Sequence, residues 1–260
     1  MASDDAPPGT WPDVIVISHN HYDHLDVNTM KAFISRPNGR LVPHVFCTSG
    51  NAAWFHALGM EIGTVTELDW WETRIVERPS DHAKLRLTCT PAQHFSGRSL
   101  SDRDRTLWGG FTFEMLHGDT SVPREKTGAK VYFAGDTGYR TINKRNITEE
   151  EEDALPYCPA FEEIGEKLGP FDMALIPIGA YAPRTLFSPI HCSPHDAVRM
   201  HREVKSRKTF GIHFGVFKLT AEAVDEPPKL LQDEAKKIGL PADEFDVLEI
   251  GQTVSVPVVL

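Results

Sequence analysis

The chain has 260 residues, 40% of them hydrophobic and 25% charged, with a formal net charge of −10. That is enough for one domain, spanning 1–260, with a sizeable core and the make-up of an ordinary globular protein. No stretch approaches the roughly 20 apolar residues that span a bilayer, and the acidic balance argues against a nucleic-acid face, which needs clustered Lys and Arg.

The first ten residues are acidic and rich in Pro and Gly, without the basic and apolar regions of a secretory leader. Val14 to Ile17 is a β-branched apolar run and predicts a buried strand. Asn51 to Leu58 predicts a helix stopped by Gly59. Leu85, Leu87 and Cys89 alternate with polar neighbours, as in a half-buried strand. Residues 117–129 and 140–157 are expected as surface excursions. The second holds the acidic run Glu149 to Asp153, expected to be a solvated helix start after Thr148. Strands are predicted over Val131 to Ala134, Met173 to Ile178 and Thr209 to Ile212. Helices are predicted over Pro159 to Leu168, from the Ser193-Pro194 cap to about Lys205, and over Pro228 to Ile238. The tail from Val247 to Val259 offers two more strands around Gly251. Strands and helices alternating in this way indicate mixed α and β layers. Cys47, Cys89, Cys158 and Cys192 lie far apart with no CxxC pair, which predicts free thiols.

The chemistry concentrates in His19-Asn20-His21-Tyr22-Asp23-His24, directly after the first strand. On an extended segment, residues two apart point the same way, so His19 and His21 can grip one ion. A turn then brings Asp23 and His24 to a second. His94, Asp136 and His213 each follow an apolar strand as well. Imidazole and carboxylate suit zinc. The expected division gives His19, His21 and His94 to one Zn(2+) and Asp23, His24 and His213 to another, two per chain. Asp136 bridges them across roughly 3.5–4 Å. Two such ions lower the pKa of a shared water to about 7 and make it a nucleophile.

Longer segments carry a resemblance. Pro12 to Asp26, Glu67 to Glu72, Thr90 to Phe95 and Leu107 to Gly110 form its first half. Ala134 to Tyr139, Cys158 to Gly165, Gly169 to Asp172, Ile176 to Tyr181, Ile212 to Gly215 and Glu226 to Pro228 form the rest. From about residue 12 to residue 240 the chain resembles the N-acyl-phosphatidylethanolamine-hydrolysing phospholipase D family of the metallo-β-lactamase superfamily. The resemblance implies an α/β fold, the metallo-β-lactamase αββα sandwich. Only 18 residues precede His19, so that sandwich is expected without its N-terminal strands and with an unpaired sheet edge.

It also implies a zinc-dependent phosphodiester hydrolase releasing N-acylethanolamine and phosphatidic acid. Asp23 and Asp136 are then catalytic as well as metal-binding. His191 matches a family histidine near the substrate and is expected to position substrate or move a proton. Tyr22 is expected to hydrogen-bond a phosphate oxygen. Ile190 stands where the family carries glutamine. Trp54, Phe55, Trp70 and Trp71 are better suited to the core than to lipid. The implied partner is a phospholipid at an internal membrane, mitochondria among the candidates and the cytoplasm otherwise, with no nucleic acid and no transmembrane segment. A homodimer is an open expectation. A related hydrolase of a lactone, thioester or cyclic phosphodiester uses the same ligands, as does a non-catalytic metal-binding fragment, so these readings stay open.

Overall fold

The computed structural model describes residues 11–35, 41–78, 81–116 and 127–258. Four layers stack as helix, sheet, sheet, helix. The smaller sheet is parallel, in the order β1 (Val14–Ile17), β2 (His44–Thr48), β3 (Val65–Leu68). Among the described residues the larger has seven strands. From one edge these are β4 (Thr73–Glu77), β5 (Lys84–Thr90), β6 (Gly110–Leu116), β7 (Thr127–Phe133), β8 (Met173–Pro177), β9 (Thr209–Ile212) and β10 (Phe245–Asp246). Neighbours are antiparallel from β4 to β7 and parallel from β7 to β10.

Alternation along the strands explains the layering. In the small sheet Ile17, Val45 and Cys47 pack outward against Leu25, against Met30 of α1 (Val27–Ile34) and against Phe55 of α2 (Ala52–Ala57). Val14, Val16 and Phe46 point the other way and meet Leu87, Cys89 and Phe111 of the large sheet. The outer face of that sheet, Tyr132, Ala174 and Ile176, is covered by α4 (Ala160–Lys167), α6 (Pro194–Glu203) and α7 (Glu226–Lys237).

Local signals set most helix ends. Asp26 caps α1 by accepting from the Thr29 N–H at 2.7 Å. Ser193 and Asp196 form the capping box of α6, with Pro194 at its first position. Gly59 and Gly239, both at positive φ, follow α2 and α7.

Several expectations are corrected. The expected tail strands are not found: β10 lies just before the tail, at Phe245–Asp246, residues 247–258 hold a turn but no strand, and Val259 lies outside the described residues. The described valines of the tail are partly exposed and Pro257 cannot donate to a ladder, so nothing extends the pairing. Residues 127–129 are not excursion but the start of β7; residues 117–126 lie outside the described set. Residues 140–157 leave and return at one place: Cys158 N–H donates to the Tyr139 carbonyl at 2.7 Å, and Arg140 bridges Tyr157. Within them Arg140 and Ile142 are buried. Helix α3 (Glu149–Asp153), capped by Thr148, has no buried residue, but Glu152 and Asp153 turn inward onto Arg184, Arg140 and Arg199. All four cysteines are free. Phe55 is fully buried, and Trp54, Trp70 and Trp71 pack against the three core clusters.

Among the described residues β1 and β3 each pair on one side only. Below them an open groove of about 750 Å³ separates the sheets, walled by Val14, Phe46, Val76, Leu85 and Met115. The functional residues gather at the opposite end of the strands.

Candidate metal centre

Strands β5, β7, β8 and β9 all run in one direction, so the loops after them meet above the large sheet. His94 follows β5, Asp136 follows β7, His191 lies between β8 and α6, and His213 follows β9. The loop after β1 brings the HxHxDH segment over them.

Three sets of ligand atoms result among the described residues, each within 4.8 Å: His19, His21 and His94; Asp23, His24, Asp136 and His213; and His94, Asp136 and His191, which overlaps the other two. In the first, His21 Nδ1 lies 3.0 Å from His19 Nε2 and 3.3 Å from His94 Nε2. Two nitrogens bound to one tetrahedral zinc at roughly 2.0–2.1 Å stand about 3.3 Å apart. The trio therefore has the spacing of ligands to a shared ion. In the second, Asp136 Oδ2 is 3.0 Å from His24 Nε2 and 3.2 Å from His213 Nε2. The same oxygen is 3.8 Å from His94 and 3.9 Å from His19, so Asp136 lies between the sets. Asp136 Oδ1 and His213 Nδ1 are buried without a hydrogen-bond partner, an arrangement that costs free energy unless another ligand uses them. The residues fit bound metal.

Charge separates the first two sets. Burial pulls His94 down to about 3 and lowers His19 and His21 as well, leaving all three neutral at pH 7 with lone pairs free. Burial also opposes charge on His24 and His213. Asp136 and Asp23 outweigh it, raising His24 to about 9 and His213 to about 10. Burial raises the two carboxyls, yet the same histidines hold both well below the usual carboxylate range. The positive charge balancing Asp23 and Asp136 thus rides on protons, which a dication exchanges on binding.

Neighbours fix the ligands' orientation. The Ser18 hydroxyl is 3.0 Å from His19 Nδ1. His94 Nδ1 donates to the Ile190 carbonyl at 2.8 Å, which leaves Nε2 unprotonated and facing the site. Any residue supplies that carbonyl, so the isoleucine costs nothing there. Arg98 donates to the carbonyls of Asn20 and Leu25 and shapes the HxHxDH loop. His213 sits at φ 60°, left-handed for a non-glycine, directly beside Gly179. A β-carbon at residue 179 would stand 2.1 Å from the His213 carbonyl oxygen, so only glycine admits this approach.

All seven expected ligands come together. His191 joins them: its Nδ1 is 4.0 Å from Asp136 Oδ2, its ring stacks on His213, and burial lowers it to about 4. Tyr22 is placed differently. It is 67% exposed, and its hydroxyl donates to the Arg98 carbonyl at 3.0 Å with the guanidinium over its ring. Its proton is committed away from the ligand cluster. The roles of Ser18, Arg98, the Ile190 carbonyl and Gly179 left no trace in the sequence pattern, because each depends on a contact in space.

The family model described as "Beta-lactamase superfamily domain" matches residues 5–214. The chain belongs to the metallo-β-lactamase superfamily. It is 35% identical over 227 residues to N-acyl-phosphatidylethanolamine-hydrolyzing phospholipase D 1 of Caenorhabditis elegans, covering 85% of this chain and 54% of that protein. It is 30% identical over 243 residues to the mitochondrial enzyme so named of Saccharomyces cerevisiae, covering 93% of this chain and 44% of that protein. The chain thus spans about half the length of these curated relatives. Among solved structures, Igni18, a metallo hydrolase of Ignicoccus hospitalis KIN4/I, superposes with a TM-score of 0.58 at 20% identity, over 93% of this chain and 78% of that one. That likeness carries the fold. Superfamily membership and the clustered His and Asp side chains together mark these strand ends as a candidate metal-binding site.

Proposed function

We propose that this chain is a zinc-dependent phosphodiesterase of the phospholipase D type, hydrolysing N-acyl-phosphatidylethanolamine to N-acylethanolamine and phosphatidic acid. The observation that carries this reading is the 35% identity to a phospholipase D of that substrate over 85% of the chain, well beyond the metal ligands. Five histidines and two carboxylates form a nitrogen and oxygen donor set suited to zinc.

His19, His21 and His94 would hold one ion, Asp23, His24 and His213 the other, with Asp136 reaching both. Two zincs so held supply Lewis acidity and an acidified water at neutral pH. The residues supply the rest. Asp136, anchored between the sets, keeps them at a fixed separation. Asp23 keeps His24 and His213 oriented toward the site. His191 is neutral at pH 7 and has a buried Nδ1 without a partner, so it is placed to accept a proton from the attacking water. The same proton then serves the alcohol that leaves when the phosphorus–oxygen bond breaks. Tyr22 receives no catalytic role, because its hydroxyl is engaged by Arg98.

No described helix is long and apolar enough to cross a membrane. With a lipid substrate the reading is of a protein peripheral to an internal membrane. The yeast relative's mitochondrial label makes mitochondria the first compartment to examine.

The test is incubation of zinc-loaded protein with N-acyl-phosphatidylethanolamine, and separately with a lactone, with products followed by mass spectrometry. Release of N-acylethanolamine and phosphatidic acid in equal amounts is expected. Lactone opening without lipid hydrolysis would reject the substrate assignment.

A further inference from the structure

Immediately after the ligand His213 the chain displays Val216-Phe217-Lys218-Leu219 to water. Val216 is 73% exposed, Phe217 62% and Leu219 52%. Scattered apolar residues on a surface are ordinary, but three large ones within four positions form a patch that calls for a partner. The patch is held in place at its far end. Ala221 N–H donates to the Ala182 carbonyl at 3.1 Å, and the Glu222 carboxylate accepts from Tyr181 and Ala182 N–H groups.

The patch is also one wall of a cavity of about 220 Å³. Asp23, His24, His213 and Phe214 line that cavity together with Val216, Phe217 and Leu219. Lys218, in the middle of the patch, puts a cation where anionic headgroups lie.

Resting on the lipid-phosphodiesterase reading, we propose that Val216 to Leu219 is the surface by which this protein seats on a phospholipid bilayer. The apolar side chains enter the interface, Lys218 meets an anionic headgroup, and the cavity opens from the bilayer onto the metal ligands. A protein partner on the same patch would instead cap the cavity. Because the chain carries a net charge of −10, general electrostatic attraction to an anionic surface does not hold it there. The apolar contact has to, together with the local Lys218 cation.

Flotation of zinc-loaded protein with vesicles of phosphatidylcholine and phosphatidylglycerol tests this. The wild type is expected to float. The variant Val216→Ser/Phe217→Ser/Leu219→Ser is expected to lose at least tenfold in vesicle-bound fraction, with metal content and melting temperature retained because the residues are exposed. Phe217→Trp provides a second readout. Its emission is expected to shift to the blue on adding vesicles and to be quenched by brominated lipid. Equal flotation of the triple variant and the wild type would overturn the proposal, as would a Phe217→Trp protein blind to vesicles. A wild type that fails to float would do the same. If the triple variant floats normally but its oligomeric state falls, the patch is an interface between copies. Neither readout requires turnover, so absent release of N-acylethanolamine rejects the proposed activity and leaves the docking test to stand by itself.

Discussion

Two polar clusters, each built around a buried carboxylate, lie a few residues apart in this protein and balance their charge in different ways. At the strand ends, every ion pair recorded for Asp23 and Asp136 is with a histidine. Around the start of α6 the carboxylates meet guanidinium groups. Asp196 pairs with Arg184 at 2.6 Å and Arg140 at 3.0 Å, and Asp153 with Arg199 at 2.6 Å and Arg140 at 3.2 Å. A guanidinium keeps its charge in any protein environment. An imidazole surrenders its proton to a metal. The first cluster therefore has the chemistry to exchange protons for ions, whereas the guanidinium charges that hold Asp196 in the second are fixed. The second also supports the first. Arg140 lies four residues beyond Asp136, and α6 opens just after His191, where Cys192 N–H bonds the Thr137 carbonyl at 2.7 Å.

The largest effect that sharpens this contrast is on turnover. Asp136→Asn removes the carboxylate lying between both ligand sets. Hydrolysis of N-acyl-phosphatidylethanolamine should fall by about 10³-fold, several kcal/mol of transition-state stabilisation, with zinc content well below the wild type. A variant that keeps its metal and its rate would remove Asp136 from the centre of the site.

Next in size is stability. Asp196 is wholly buried, and Asp196→Ala removes the carboxylate that Arg140 and Arg184 share, leaving them only Asp153 and Glu152 of α3. A loss of about 3–5 kcal/mol is expected in urea unfolding, as for one removed partner of a buried pair. The folded fraction should still bind zinc. If instead zinc is lost at unchanged stability, the two clusters do not divide their roles as described.

The smallest effect concerns pH. Glu203, at the far end of α6, accepts a hydrogen bond from the Tyr139 phenol, and burial raises its carboxyl to about 7. The folded state holds this proton more tightly than the unfolded chain does. Its contribution is complete below about pH 4.5 and fades as pH rises through about 7. Because the side chain is partly solvated, only about 1–2 kcal/mol is at stake. Melting curves of wild type and Glu203→Gln should therefore diverge across that window, the wild type losing ground as pH rises. Parallel curves would show that Glu203 ionises normally.

The clustering of the candidate ligands was legible because their signal is local. His19 to His24 sit at fixed spacing after an apolar run, and His94, Asp136 and His213 each follow a strand. Strands with clear β-branched runs and helices with caps were found for the same reason. The elements not foreseen were α1, β2, β3, β4, β6, β10 and the short α5 (Arg184–Phe187). Their apolar residues carry no clean period, and their pairing partners lie far away in sequence. The tail was misjudged because valine content signals a strand only where an edge is open to pair with it. The acidic run illustrates the same limit. Glu149 to Asp153 reads as a solvated helix, and Thr148 does cap it, but nothing nearby in sequence reveals that Asp153 will meet Arg140, His195 and Arg199.

By itself the sequence determined the donor chemistry of the site, its order along the chain and the superfamily, since all three reside in short motifs. Only the tertiary structure decided which polar groups balance one another and where the Tyr22 proton goes. It likewise decided that His94 is oriented by the Ile190 carbonyl and that Val216 to Leu219 face water instead of a core. Each of these is a contact or exposure set by layers packing across long sequence separations, and no local spacing encodes it.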